Sequence, residues 1–159
     1  MAAPFDNSPE HNSRPSSSPT GEGVVIDIGT GDGRFVSVAA RKNPAKFFIG
    51  IDPNVKPLEK PSMKTTRKPG KGGLSNALFV QAPIEELPEE LDGIADEIHI
   101  HFPWGSLLRA VGLGQKDVLD SLRRICASEC LVEIVIGIDE ERDRSEIERL
   151  ELPKLSRFC

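Results

Sequence analysis

The chain has 159 residues, of which 38% are hydrophobic and 28% charged, and this matches one ordinary globular domain. No apolar run approaches the roughly 18 residues that cross a bilayer, and the N-terminus lacks an apolar signal segment. We therefore expect a cytoplasmic protein without a membrane span. The net charge of −5 argues weakly against nucleic-acid binding. The charge is unevenly distributed, because residues 54–73 carry a net charge of +5 and the other residues a net charge of −10. A basic island on an acidic chain predicts a phosphate-binding patch.

Residues 1–23 are rich in Ser and Pro and contain almost no apolar side chains. Such a segment cannot bury enough surface to offset the entropy of ordering, so we predict a disordered tail there and a single domain over 24–159. The cysteines are Cys126, Cys130 and Cys159, and the first two fall in a helix-like stretch without a nearby histidine. A closed zinc site needs four ligands, so we expect no metal and interpret these residues as thiols in a reducing cytosol.

Apolar runs alternate with helix-like segments from residue 24 onwards. The runs predict strands at 24–28, 47–51, 77–82, 97–102 and 131–138. The other segments predict helices at 34–41, from about 54 to 67, and at 106–111, 116–127 and 140–150. This alternation indicates an α/β protein with a Rossmann-like, doubly wound, mostly parallel sheet of about five strands, covered by helices on both faces.

A glycine-rich loop, 29–33, separates the first strand from the first helix. Glycine permits positive φ and close ligand approach, and the helix N-terminus offers unpaired N–H groups. The spacing Gly-x-Gly-x-Gly, preceded by Asp27, is similar to motif I of S-adenosylmethionine methyltransferases. The alternative is a glycine-rich turn that binds no ligand. Asp52 ends the second strand, where an acid can accept hydrogen bonds from ribose hydroxyls or simply be a surface acid.

Three further positions fall at carboxyl ends of strands, where open α/β sheets bind ligands. Ala82 and Pro83 follow the third strand and could flank an adenine ring, although an ordinary loop would have the same sequence. Trp104 follows the fourth strand, and there it either stacks on a nucleobase or fills the core of a turn. His99 and His101 alternate with apolar residues on this strand, and we interpret both as structural.

Four segments together resemble one family, namely 26–34, 49–53, 68–76 and 102–108. They are similar to the methyltransferases that modify N1 of a decoding-site adenine in 16S rRNA and confer aminoglycoside resistance. The resemblance covers roughly residues 24–158. The Lys-Pro-x-Lys-Gly-Gly loop and the Phe-Pro-Trp-Gly-Ser-Leu-Leu turn are its most specific parts.

The resemblance implies a cofactor, S-adenosylmethionine, and a partner, the 16S rRNA of the small ribosomal subunit. It implies that the cofactor site is formed by Asp27, Gly29, Thr30, Gly31, Asp52, Ala82, Pro83 and Glu85. It implies that the flipped target adenine stacks on Trp104, the one residue assigned to catalysis. It implies that the rRNA backbone is gripped by Lys64, Arg67, Lys68 and Lys71. The reaction needs no general base, because adenine N1 carries a lone pair and catalysis is mostly orientation of the extruded base.

Two departures from the family lead to further expectations. The family begins with an N-terminal hairpin, and it continues beyond the equivalent of Cys159 with the last strands of a seven-stranded sheet and a second tryptophan. We therefore expect a C-terminally incomplete fold that lacks two strands and leaves the fifth strand as an exposed edge. Two alternatives stay open, a different RNA base methyltransferase such as the tRNA guanine-N7 type, and a non-catalytic module that binds cofactor or RNA.

Overall fold

The structure, a computed structural model, describes residues 22–137 and 144–149. Its five strands form one sheet in the order β3-β2-β1-β4-β5, and every pairing between them is parallel. The strands are β1 (Val24–Ile28), β2 (Phe47–Asp52), β3 (Ala77–Gln81), β4 (Ala95–His101) and β5 (Cys126–Val135). The order confirms the predicted doubly wound α/β sheet, because the chain moves outward from β1 to β3 and then crosses back to β4.

Helices connect these strands, as the alternating pattern predicts. They are α1 (Arg34–Lys42), α2 (Val55–Thr65), α3 (Gly105–Gly112), α4 (Lys116–Ile125) and α5 (Arg144–Arg149). Short 3-10 turns lie at Pro69–Lys71, Ile84–Glu86 and Glu89–Leu91. Of the predicted last helix, residues 140–143 and 150 lie outside the described residues. No helix in the described part of the chain is long and apolar enough to cross a membrane.

The sheet has an apolar core on each face. On one face, Ile26, Ile98 and Ile100 are fully buried together with side chains of α3 and α4. On the other face, a smaller cluster joins Val25 to Val36 of α1 and to the start of β3. The central strands are therefore covered on both sides, which explains their nearly continuous apolar sequence.

The boundary between α4 and β5 differs from the prediction. Helix α4 ends at Ile125 and not at 127, and β5 begins at Cys126, five residues before the predicted start. Cys126 and Cys130 therefore lie in a strand and not in a helix. The reason is pairing with β4: Cys126 is opposite Ala95, and an irregularity in register follows before Leu131 pairs with Glu97. This tertiary pairing overrides the helical pattern of the local sequence.

Strand β5 forms one edge of the sheet, and within the described residues it pairs only with β4. Leu131, Val132, Ile134 and Val135 are all exposed. The predicted exposed fifth strand is thus found in the described part of the chain. An apolar edge of this kind is a template for pairing with another strand.

The predicted disordered tail lies mostly outside the described residues, which begin at Glu22. Glu22 donates its backbone N–H to Ala45 O, at 3.3 Å, and Gly23 O accepts from Phe47 N, at 3.0 Å. The last two residues of the predicted tail are therefore hydrogen-bonded to the segment that leads into β2. The disorder of residues 1–21 stays a prediction.

Asn76, which directly precedes β3, connects chain segments by hydrogen bonds at the amino edge of the sheet. It is buried, and its side-chain Nδ2 lies 3.0 Å from Ala40 O, 3.2 Å from Asn43 O and 3.0 Å from Lys46 O. The two hydrogens of this amide are shared among three carbonyls. Asn76 thus joins the end of α1 and the start of β2 to the end of the basic segment.

We expect Asn76→Ala to lower the free energy of unfolding by about 1–3 kcal/mol, because buried carbonyls lose their donor. The matched control is Ser75→Ala at the exposed neighbouring position, which should change stability by no more than about 0.5 kcal/mol. Urea unfolding followed by circular dichroism measures both. Equal stability of the two variants would contradict the role of Asn76.

Candidate functional site

The glycine loop connects the carboxyl end of β1 to α1 and turns back towards β2. The backbone N–H groups of Gly29 and Thr30 both donate to Ile51 O, at 2.8 and 3.0 Å. Gly31 and Gly33 have φ of 54° and 66°, a left-handed conformation that favours glycine. At Gly33 a side chain would also collide, because an added Cβ would lie 2.4 Å from the Phe79 ring. The predicted motif therefore has a conformational requirement for glycine.

Asp52 binds this loop from the end of β2. Its Oδ2 accepts the backbone N–H of Gly31 at 3.0 Å, and its Oδ1 accepts the backbone and side-chain N–H groups of Asn54 at 2.9 and 3.1 Å. The carboxyl group is largely buried. Two residues that were singled out separately in the sequence, Gly31 and Asp52, are thus in direct contact.

A cavity of about 140 Å³ lies beside the loop at the carboxyl edge of the sheet. Gly29, Ala82, Pro83 and Glu85, four of the predicted cofactor residues, line it. The remaining lining residues are Ile28, Ile51, Pro53, Ile84, Ser106 and Leu107. Most of this lining is apolar, which suits the flat ring of a ligand with a polar group at the rim.

Ser106 and Leu107 are cavity residues that the sequence reasoning missed. Both belong to the first turn of α3, which follows β4 after a three-residue turn. Their position after a strand end was visible in the sequence, but the packing of α3 against the glycine loop was not. Leu107 lies so close that a Cβ added at Gly29 would be 2.9 Å from its Cδ2.

Asp27 of β1 and Thr30 of the loop are buried and do not line the cavity. Burial raises the pKa of the Asp27 carboxyl above its ordinary value, and a hydrogen bond with the Thr30 side chain opposes that rise. These two predicted residues thus contact each other and not the cavity.

Trp104 precedes α3, and its side chain is 56% exposed. It is therefore not a buried core tryptophan that fills the turn. Two residues earlier, Phe102 has φ of 49° and is the one non-glycine residue with positive φ in 22–137 and 144–149. Backbone strain of this kind costs about 1–3 kcal/mol and is concentrated at functional sites. The turn thus has two exposed aromatic residues, Phe102 and Trp104, at the carboxyl end of β4.

The predicted RNA-binding residues form a separate surface. Lys64 lies in the last turn of α2, and Arg67, Lys68 and Lys71 follow it; all four side chains are exposed. None of the four lines the cavity, and none forms an ion pair with another described residue. Pro61 of α2, one helical turn before Lys64, packs near the glycine loop, since a Cβ added at Gly33 would lie 3.0 Å from its Cβ.

Comparison with known proteins identifies a family. The family model NpmA, 16S rRNA (adenine(1408)-N(1))-methyltransferase, matches residues 14–158. A curated relative of that name from Escherichia coli is 43% identical over 134 residues, which are 84% of this chain and 61% of the relative. The chain thus spans about three fifths of the length of that relative.

Solved structures give the same result. The aminoglycoside resistance methyltransferase NpmB1 is 54% identical with a TM-score of 0.80, and the match covers 87% of this chain and 67% of that one. A mutant 16S rRNA (adenine(1408)-N(1))-methyltransferase with cosubstrate SAM, from Catenulisporales acidiphilia, is 37% identical with a TM-score of 0.77, over 87% and 67% of the two chains. With a glycine loop, a buried acid and an apolar cavity at one sheet edge, this chain belongs to the 16S rRNA (adenine(1408)-N(1))-methyltransferase family.

Proposed function

We propose that this chain forms the cofactor-binding part of a cytoplasmic S-adenosylmethionine-dependent methyltransferase that modifies adenine N1 in 16S rRNA. The observation that carries the proposal is the convergence of the glycine loop, Asp52 and the cavity at one edge of the sheet, beside an exposed Trp104. The family model favours this function over the tRNA guanine-N7 alternative.

The residues at this edge fit S-adenosylmethionine. Space is open beside Gly31, where an added Cβ would meet no atom within 4 Å. The cavity of about 140 Å³ is smaller than the roughly 300–1,000 Å³ of a complete ligand pocket. Ala82 and Pro83 would therefore hold the adenine end of the cofactor there, and the glycine loop would hold the methionine end.

Each predicted residue then has a distinct task. Asp52 accepts hydrogen bonds from the ribose hydroxyls, and Glu85 supplies a carboxylate at the cavity wall. Asp27 supports the loop from below, where its burial places a carboxyl group close to the methionine end. When bound, S-adenosylmethionine supplies a methyl group on a positively charged sulfonium, and adenine N1 accepts that methyl directly through its lone pair.

The remaining residues act on the RNA. The exposed Trp104 ring offers a face on which an extruded adenine can stack, worth about 1–3 kcal/mol. Lys64, Arg67, Lys68 and Lys71, which are exposed and do not line the cavity, bind phosphates of the rRNA backbone. In this arrangement catalysis depends on orientation, and no side chain has to move a proton.

The deciding experiment measures transfer of a tritiated methyl group to small ribosomal subunits, together with calorimetric titration of S-adenosylmethionine. Mapping of the product should place the methyl on adenine N1 of 16S rRNA. Labelling of tRNA alone would contradict the proposed substrate. Cofactor binding without any transfer would leave the cofactor site standing and favour the non-catalytic alternative.

We expect Asp52→Ala to weaken S-adenosylmethionine binding at least about tenfold, because hydrogen bonds to a charged group contribute about 1.5–3 kcal/mol. Calorimetry measures the dissociation constant. Asp120→Ala, which removes an exposed carboxylate from α4, is the control and should bind normally. A normal affinity of Asp52→Ala would contradict the ribose role.

Trp104→Ala should keep cofactor affinity within about twofold and lower kcat/KM for methyl transfer about ten- to a hundredfold, since one stacking contact is lost. Leu113→Ala is the control, because Leu113 is equally exposed at the other end of α3. If Trp104→Ala abolishes cofactor binding as well, the residue belongs to the cofactor site and not to the base site.

The double variant Lys68→Glu/Lys71→Glu should weaken rRNA binding and lower the slope of log K against log salt by about 1.5, since two phosphate contacts are lost. The control is Lys42→Glu/Arg123→Glu, which makes the same charge change at exposed positions on α1 and α4. Filter binding at salt concentrations between about 50 and 200 mM measures the slope for both double variants. Equal slopes in the two variants would show that the effect is due to net charge alone.

A further inference from the structure

Two histidines and a glutamate meet on the α1 face of the sheet, outside the cavity. His99 and His101 share this face because they alternate with the fully buried Ile98 and Ile100 of the opposite face. Strand β5 places Glu133 directly beside His99 in the parallel register. Glu133 Oε1 lies 3.3 Å from His99 Nδ1 and 3.1 Å from His101 Nε2.

These distances agree with the edges of a metal coordination polyhedron. Zinc binds imidazole nitrogen at about 2.0–2.1 Å and carboxylate oxygen at about 2.0–2.2 Å, and in a tetrahedron this separates neighbouring ligand atoms by about 3.3 Å. One ligand atom of each residue lies within 4.8 Å of the other two.

The second nitrogen of each ring also faces a carboxylate. His99 Nε2 lies 3.4 Å from Glu97 Oε2, and His101 Nδ1 lies 3.9 Å from Asp27 Oδ1. Metal-binding histidines commonly present their other ring nitrogen to a carboxylate, which fixes the tautomer and increases the basicity of the ligand. In both histidines one ring nitrogen faces Glu133, and the other faces a second carboxylate.

The charges around the rings call for a cation. Carboxylate oxygens lie on two sides of His99, with Glu133 Oε1 at 3.3 Å and Glu97 Oε2 at 3.4 Å. A neutral imidazole has one N–H and one lone pair, and cannot donate to carboxylates on both sides. A metal ion between the lone pairs and Glu133 satisfies all three groups.

Phe35 of α1 completes the surroundings. Its ring packs against His99 and His101, with centroid distances of 5.2 and 4.7 Å. The contact holds the two imidazoles side by side and shields them from solvent on that side. Ordered ligands lose less entropy on binding a metal, which favours a site that exists before the metal arrives.

We propose that His99, His101 and Glu133 form a binding site for a divalent transition metal that prefers imidazole ligands, with Zn²⁺ as the representative ion. Three protein ligands leave the fourth position to water. This site, built across β4 and β5, differs from the expectation from the sequence that the chain binds no metal. The site is independent of the cavity, since none of the three residues lines it.

The test is calorimetric titration of Zn²⁺ into the full 159-residue chain, produced without a histidine tag and freed of metal with a chelator. We expect one equivalent to bind. Glu133→Gln and His101→Gln should each weaken binding at least about tenfold, because each removes a ligand. Circular dichroism checks that the variants fold, and Glu133 is the safer position because its side chain is half exposed.

Two kinds of control separate this site from others in the chain. His11→Gln removes the third histidine and Glu129→Gln removes an exposed carboxylate from the same strand, and both should bind normally. Cys126→Ser/Cys130→Ser should also bind normally. The proposal is overturned if the unaltered chain binds no Zn²⁺, if Glu133→Gln and His101→Gln bind as tightly as it does, or if only the cysteine variant loses binding.

Discussion

The hydrogen bond between the Asp52 carboxylate and the backbone N–H of Gly31 fixes the geometry on which the rest of this edge depends. It joins the end of β2 to the loop after β1, and two further bonds from that loop to Ile51 O reinforce it. The loop can turn so tightly because glycine occupies the positions with positive φ. Held in this way, the loop forms one wall of the cavity and leaves space beside Gly31 for a ligand.

The edge combines two opposite requirements. The strands must be buried on both faces to be stable, yet their ends must leave polar groups and open space for a ligand. Burial raises the pKa of the Asp27 carboxyl, which is a cost that an apolar core would avoid. Such costs at the end of a strand are typical of a site and not of a scaffold.

Successive side chains of β4 point to opposite faces of the sheet, and the two faces have different surroundings. Its apolar residues Ile98 and Ile100 face the larger core, while His99 and His101 face α1 and the neighbouring strand β5. The histidines are therefore neither core residues nor solvent-exposed ones. They belong to a row of polar side chains that runs from Asp27 on β1 to Glu133 on β5.

The sequence by itself determined the strands, the order of elements, the glycine loop and the role of Asp52 as a strand-end acid. These features depend on the periodicity of apolar residues and on the residue types found in turns, and both can be recognised from residues close together in the sequence. Only the tertiary structure decided that Ser106 and Leu107 line the cavity, that α4 gives way to β5 at Cys126, and that Glu133 lies between two histidines. Each of these depends on the register or packing of segments far apart in the chain, and the pattern within one segment does not specify which residue of another segment it will face.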